Sequence, residues 1–240
     1  MAKRKSSGGK SVAVKPAPKR GTRRSLPRTT KPAVVGAPLY SVHPGVAMVQ
    51  KWIVELPAKT GKSLDDWVRH VKKSGPKTEK ECRVWLKDEY QLGTNTAWWL
   101  AEKAFGNPLG LKDDSPEGYL QLAHVYIEQM YAGRTALRPL HDELIRLARS
   151  LGDDVRICPC KTIVPLYRRH VFAEIKPATN KRIDLGFALG EEPFTNRLLD
   201  TGGAEKKNRI THKVGLTSLA DIDLQVKRWL KQAYEQDAQA

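Results

Sequence analysis

The first 38 residues of this chain contain no aspartate and no glutamate, although they contain eleven lysine and arginine side chains. The whole chain has 42 basic and 26 acidic residues, so 31 basic residues remain beyond this segment, a surplus of only five over the acids. A segment with one sign of charge attracts polyanions by neutralising phosphates and releasing counterions, without reading base sequence. The charge distribution therefore indicates nonspecific, salt-sensitive contact with DNA or RNA.

Residues 1–41 are rich in Lys, Arg, Ser, Pro and Gly and poor in large apolar side chains. Such a composition buries too little apolar surface to offset the entropy of ordering, so we expect a disordered basic arm. The arm residues that we expect to contact phosphates include Lys3, Arg4, Lys5, Arg20, Arg23 and Arg24.

Long apolar runs are also missing, because no stretch approaches the roughly 20 apolar residues of a membrane span. The charged N-terminus is followed by no apolar stretch, which argues against a secretory signal. Three cysteines, Cys82, Cys158 and Cys160, cannot all pair with one another. These observations predict a cytoplasmic protein without a membrane partner.

Two modules are expected after the arm. Residues 44–106 show helical periodicity with start signals at Ser63 and at Thr78, where Glu81 completes a capping box. Residues 107–115 are typical of a linker, and residues 116–237 form the second module.

The second module begins with two helical stripes and then changes period. From Val155 apolar residues alternate with a period of two, and Ser218 is expected to cap a final helix. Short turns between the strands favour antiparallel pairing. The fold class is therefore α+β: a disordered basic N-terminal arm, a small all-helical module, and a helix-flanked antiparallel sheet domain.

Residues 86–105 have the pattern of a helix-turn-helix, with Gly93 in the turn. On a helical wheel Ala97, Ala101, Ala104 and Phe105 cluster on one face, with Trp98 at its edge. The opposite face carries Thr96, Trp99 and Lys103, a set suited to contact phosphates and bases. The alternative is that Trp99 packs against another element, since tryptophan is highly buried on average.

The predicted strands carry many cations. Arg168, Arg169 and Arg182 are the sheet residues that we expect to bind nucleic acid, provided that they converge on one surface. The alternative is an ordinary solvated face whose cations are balanced by nearby acids.

Glu174 and Lys176 form an E-x-K element on a predicted strand, and Asp154 precedes it by twenty residues. Two carboxylates that hold Mg²⁺ beside a lysine are the set that a metal-dependent nuclease uses. Such loosely spaced residues also arise by chance, so we expect no catalytic residues, cofactor or metal site. Cys158 and Cys160, with only a proline between them, do not make a zinc half-site.

A third possibility is a small-anion or protein-interaction module. In this interpretation the sheet and the helix that carries Trp229 form a pocket.

Several motifs resemble two known families. Residues 48–67 (MVQKWIVELPAKTGKSLDDW), 73–81 (KSGPKTEKE) and 92–99 (LGTNTAWW) are similar to a short bacterial helical family of unknown function. Residues 153–155 (DDV), 161–164 (KTIV), 172–177 (FAEIKP), 184–186 (DLG) and 210–212 (ITH) are similar to a second uncharacterised family. The resemblance covers about residues 46–237. It implies a bacterial cytoplasmic protein of two fused modules, and it brings no established activity.

Overall fold

Seven α-helices, two short 3-10 helices and six strands make up residues 38–106 and 113–239, the part of the chain that this computed structural model describes. The helices are α1 (Gly45–Thr60), α2 (Leu64–Ser74), α3 (Glu79–Tyr90), α4 (Thr94–Phe105), α5 (Pro116–Tyr131), α6 (Arg138–Arg149) and α7 (Leu224–Gln239). The strands are β1 (Arg156–Ile157), β2 (Val164–Tyr167), β3 (Val171–Pro177), β4 (Ile183–Phe187), β5 (Leu199–Asp200) and β6 (His212–Leu216).

The starts of α2 and α3 agree with the sequence prediction. The Ser63 hydroxyl accepts a hydrogen bond from the backbone N–H of Asp66 at 3.2 Å, and Thr78 does the same for Glu81 at 3.3 Å. These caps satisfy backbone donors that have no partner inside the helix. Gly61 ends α1 with a φ of 73°, a conformation that glycine adopts without steric cost.

Helices α1 to α4 enclose a small apolar core. Its buried members are Leu56, Trp67, Val71, Cys82, Leu86, Ala97, Trp99, Leu100, Ala101 and Ala104. Helix α4 packs against both α2 and α3, so its buried stripe is wide.

A larger core lies on one face of an antiparallel sheet with the strand order β1-β2-β3-β4-β6-β5. The residues on that face, among them Ala173, Ile175, Leu185 and Val214, are all buried. Helix α7 packs against β3 and β4, and the Trp229 ring lies 6.3 Å from that of Phe187. The alternation of the strands therefore separates an apolar face from a polar one.

The predicted α+β class is confirmed, with helices first and an antiparallel sheet after them. The predicted domain boundary between residues 106 and 116 stays a prediction. None of the helices in the described ranges is both long and apolar enough to cross a membrane.

Helix α1 contributes to both cores. Tyr40 and Val46 are buried in the larger core, and the backbone N–H of Ser41 donates to the carbonyl of Ile157 at 2.8 Å. Ten residues beyond Val46, Leu56 is buried in the smaller core. The chain from Tyr40 to Leu56 thus connects the sheet with the helices that precede it.

A buried carboxylate holds the C-terminal end of α7 against two loops. Asp237 is only 1% exposed, and it accepts hydrogen bonds from the backbone N–H groups of Arg169 and His170 at 2.8 and 2.9 Å. It also lies 3.2 Å from His170 Nδ1 and 2.8 Å from the guanidinium of Arg209. Because a buried charge is costly unless it is paired, these donors fix the β2–β3 turn and the loop before β6 in place.

The final helix begins later than the sequence predicts. Ser218 caps a 3-10 helix, Leu219–Asp221, in a capping box with Asp221. Helix α7 starts at Leu224, where the carboxylate of Asp223 accepts from the N–H groups of Gln225 and Val226 at 3.0 Å. The sequence predicts one helix start at Ser218, but the structure has two. Asp221 stabilises the start of the 3-10 helix, and Asp223 caps α7.

We expect Asp237→Ala to lower the free energy of unfolding by about 3–5 kcal/mol, because it leaves buried donors and the Arg209 guanidinium without an acceptor. Chemical denaturation of the full chain measures the change. The control Glu235→Ala removes an exposed carboxylate from the same helix and is expected to cost no more than about 0.5 kcal/mol. An equal loss of unfolding free energy in the two variants would contradict the role assigned to Asp237.

A buried histidine makes stability depend on pH. His141 is 1% exposed, its Nδ1 lies 3.0 Å from the Tyr131 hydroxyl, and burial lowers the pKa of its side chain to about 4. The unfolded chain binds the proton first as the pH falls below 6.5, so the neutral folded form loses stability between pH 6.5 and 4.

The free energy of unfolding of the wild type falls between pH 7 and pH 4. In His141→Gln this fall should be smaller by about 3 kcal/mol. Burial also lowers the pKa of His43, but that contribution is present in both proteins and cancels in the comparison. Unfolding curves at several pH values provide the measurement, with His124→Gln on the exposed side of α5 as the control. A pH dependence that is the same in wild type and His141→Gln would disprove the assignment.

Candidate nucleic-acid interface

The arm residues predicted to bind phosphates lie outside the residues that the structure describes. This holds for Lys3, Arg4, Lys5, Arg20, Arg23 and Arg24. Their assignment stays a prediction from charge.

The predicted contact set on α4 does not form an open surface. Trp99 is 7% exposed and packs edge to face against Trp52, with the ring centres 5.9 Å apart. Thr96 is half-buried, and Lys103, 16% exposed, donates to Asp113 at 2.5 Å. The helix-turn-helix interpretation therefore gains no exposed set of contacts from these three residues.

The helical wheel groups the buried Ala97, Ala101 and Ala104 correctly on one face of α4, but it misplaces the aromatic residues. Trp98, placed at the edge of the buried face, is 52% exposed and lies under the guanidinium of Arg83 at 4.9 Å. Phe105, placed on the buried face, is also exposed, whereas Trp99 is buried. Since α4 packs against several helices at once, its buried stripe extends from Ala101 to Trp99 and leaves the other flank to solvent.

The predicted sheet cations lie at opposite ends of β3. Arg168 and Arg169 are in the turn before β3, and Arg182 is in the turn after it. Seven residues of strand separate the turns by about 20 Å. Arg168 pairs with Asp154 at 2.7 Å beside the Tyr234 ring, and Arg182 pairs with Asp184 at 2.7 Å. The structure thus does not bring the three arginines together on one surface.

The E-x-K element lies on the polar face of the sheet. Glu174 is half-buried and Lys176 is exposed, and both point to the same side of β3. Burial raises the pKa of the Glu174 carboxyl, and the nearby Lys176 opposes the shift. Among the residues that the structure describes, no group donates a hydrogen bond to this carboxylate.

Asp154 does not join Glu174. Its two oxygens are held by Arg168 and by the Tyr234 hydroxyl, both of which keep its pKa low. The Asp154 side chain therefore lies beside Arg168 in the β2–β3 turn, whereas Glu174 lies in the middle of β3. The carboxylate that shares the polar face is Asp184, directly opposite Lys176 in the β3–β4 register. Sequence reasoning missed it because the register was unknown.

The described ranges contain no group of three or more His, Cys, Asp or Glu side chains arranged to hold a metal ion. Asp184 is instead neutralised by Arg182 and lies 3.9 Å from the amine of Lys213. Burial raises the pKa of the Cys158 thiol to about 12 and that of Cys160 to about 11, so both stay protonated at neutral pH. Protonated thiols are poor nucleophiles.

A groove of about 780 Å³ lies between the helical region and α5. Trp98 and Phe105 are among its apolar lining. Its charged lining includes Lys103, paired with Asp113, and Lys161, which donates to Glu102 at 2.7 Å. Lys103 and Lys161 are paired within the protein, and the acidic lining, which includes Asp65, Glu79 and Asp114, offsets Lys72, so the groove offers little attraction to an anion.

The buried Trp229 does not form the pocket expected between the sheet and its helix, since its side chain is 1% exposed within the larger core. Sequence reasoning also missed Asp237, whose main partners are 67 and 28 residues away in the chain. No pattern in the sequence around Asp237 signals this role, because its partners are distant in the chain.

Comparison with known proteins finds two family matches. Residues 48–104 match the profile of the family described as Domain of unknown function (DUF4287), and residues 127–237 match that described as Domain of unknown function (DUF5655). No curated protein matches the chain, and no solved structure matches it either. The resemblance of the sequence to two uncharacterised families is confirmed. The chain therefore contains, in this order, a region similar to DUF4287 and a region similar to DUF5655, two families without a characterised activity.

Proposed function

We propose that this protein associates with nucleic acid through nonspecific contacts to the phosphate backbone, supplied mainly by its N-terminal arm. One observation carries the proposal. The first 38 residues have eleven cations and no acid, whereas the rest of the chain has a surplus of only five positive charges. The polyanion-binding charge is therefore concentrated in one segment.

The physical mechanism is counterion release. Each phosphate that a lysine or arginine neutralises frees condensed cations, so log K falls by about 0.9 per contact for each tenfold rise in salt. Six to ten such contacts weaken binding by roughly 10³- to 10⁵-fold between 50 and 200 mM salt. Eleven arm cations are enough for a response of this size.

Ion pairing within the folded region supports the leading role of the arm. Lys103, Arg168 and Arg182 each form an ion pair with an aspartate. A paired cation gains less from a phosphate, because it must release or share its carboxylate. We propose that these three side chains, together with Arg169, Thr96 and Trp99, contribute less than the arm.

The proposal includes a non-enzymatic role and a bacterial cytoplasmic location. The location is supported by three cysteines that form no disulfide in the described residues. The absence of a reactive thiol favours binding over thiol-dependent chemistry.

Replacement of the eleven arm cations by glutamine in the full chain should abolish most of the salt dependence. We expect the slope of log K against log salt for a DNA duplex to fall to a small fraction of the wild-type value, because about 0.9 is lost for each contact removed. Fluorescence anisotropy between 50 and 300 mM salt measures it.

The matched control shuffles residues 2–37 without changing their composition. Nonspecific contacts depend on charge, so the shuffled protein should bind as the wild type does. Wild-type affinity in the glutamine variant, or lost affinity in the shuffled one, would contradict the proposal.

A magnesium-dependent nuclease is the second candidate, favoured by the half-buried carboxylate of Glu174 beside Lys176 on the polar face of the sheet. Under the binding proposal we expect supercoiled plasmid to stay intact with the full chain and Mg²⁺. Cleavage that requires Mg²⁺ and disappears in Glu174→Gln would establish the enzyme instead. Glu191→Gln, an exposed loop change, is the matched control.

Thermal-shift measurements with anionic metabolites address the small-anion alternative.

A further inference from the structure

Four exposed lysines cluster where α2 meets α3, a surface that we call the lysine corner. It consists of Lys72 and Lys73 in the last turn of α2, Lys77 in the connection, and Lys80 in the first turn of α3. None of the four forms an ion pair within the part of the chain that the structure describes. In this respect they differ from Lys103, Arg168 and Arg182.

The scaffold under the corner is rigid. Gly75 donates its N–H to the Val71 carbonyl at 2.8 Å, and a Cβ at Gly75 would lie only 2.6 Å from that oxygen. Thr78 caps α3 directly after the connection. Trp67 and Cys82, one on each helix, are buried in the small core. The backbone that carries the lysines is therefore fixed before any ligand binds, which reduces the entropy lost on binding.

Only two of the four lysines stabilise the helix on which they lie. Lys72 and Lys73 lie at the C-terminal end of α2, where the helix dipole favours a cation. Lys80 lies at the N-terminal end of α3, where the same dipole disfavours one. Lys77 lies outside both helices. Among the described residues, neither Lys77 nor Lys80 forms an ion pair, and neither is favoured by a helix dipole.

Neighbouring acids neutralise the corner only in part. Glu79 is engaged by the guanidinium of Arg83, whereas Glu81, which accepts from the Thr78 hydroxyl at 2.8 Å, keeps its negative charge and offsets one of the four lysines. Asp66 pairs with Arg69 at 3.0 Å. Asp65 lies in the first turn of α2, at the end of this helix opposite to Lys72 and Lys73. Asp65 and Lys72 both line the groove beside α5.

We propose that the lysine corner is a second phosphate-binding surface, which contacts the backbone of a DNA duplex held by the arm. The inference rests on the proposed function and adds to it a fixed point of contact on the folded region. Lysines act as point charges toward phosphates and need no particular base sequence. Tethering by the arm raises the local concentration of the duplex at this surface.

The test uses the full chain and a random-sequence duplex of 25 base pairs. Lys77→Gln with Lys80→Gln should reduce the slope of log K against log salt by about 1.8, since two phosphate contacts are lost. Affinity at 0.1 M salt should fall by about 10-fold or more. The thermal midpoint of unfolding should stay the same or rise slightly, because the cation at the start of α3 is removed.

Lys206→Gln with Lys207→Gln is the matched control, because it removes the same charge from two adjacent exposed lysines in the loop before β6. It should leave the slope close to the wild-type value. Equal slopes for the two double variants, whether both reduced or both unchanged, would overturn the inference.

The arm variant separates the two proposals. If glutamine in the arm weakens binding and the corner variant equals its control, only the lysine corner fails. If glutamine in the arm leaves binding unchanged, the proposed function of the arm fails, and a reduced slope in the corner variant would then assign the contact to the folded region alone.

Discussion

The burial of one face of the antiparallel sheet is the constraint on which the rest of this structure depends. Ala173, Ile175, Leu185 and Val214 turn their side chains into the larger core, so the alternate residues of these strands lie on the opposite face. That alternation places Glu174 and Lys176 on the polar side. The turns before and after β3 lie at its opposite ends, where Arg168 pairs with Asp154 and Arg182 pairs with Asp184. The sheet is thereby organised for stability, with its arginines engaged in holding loops.

The buried Asp237 completes this organisation. A single carboxylate collects donors from the β2–β3 turn and from the loop before β6, and it lies at the end of the helix that covers the sheet. Removing a charge of this kind leaves several groups unsatisfied at once, which explains why one residue near the C-terminus influences two distant loops. In contrast, the four lysines of the lysine corner form no ion pair in the described chain.

Local signals in the sequence predicted local structure well. Ser63 and Thr78 marked helix starts because a cap needs only residues three positions away. Apolar alternation predicted the strands, and the short turns between them predicted their antiparallel pairing, because both signals lie close together in the chain. Long-range features were missed: the neighbour of Lys176 is Asp184 because of the strand register, and Trp99 is buried in place of Trp98 because several helices surround α4. A pattern within one helix or strand does not contain that information.

Helix α1 has a consequence for how the protein comes apart. Its first turn is anchored by Val46 among the residues beneath the sheet, and its fourth turn by Leu56 among the four helices. If one core loses its contacts with α1, the helix also packs less well against the other core, because the same continuous helix contributes to both. Melting should consequently be cooperative across the described chain, and calorimetry would record one heat-absorption peak in place of two.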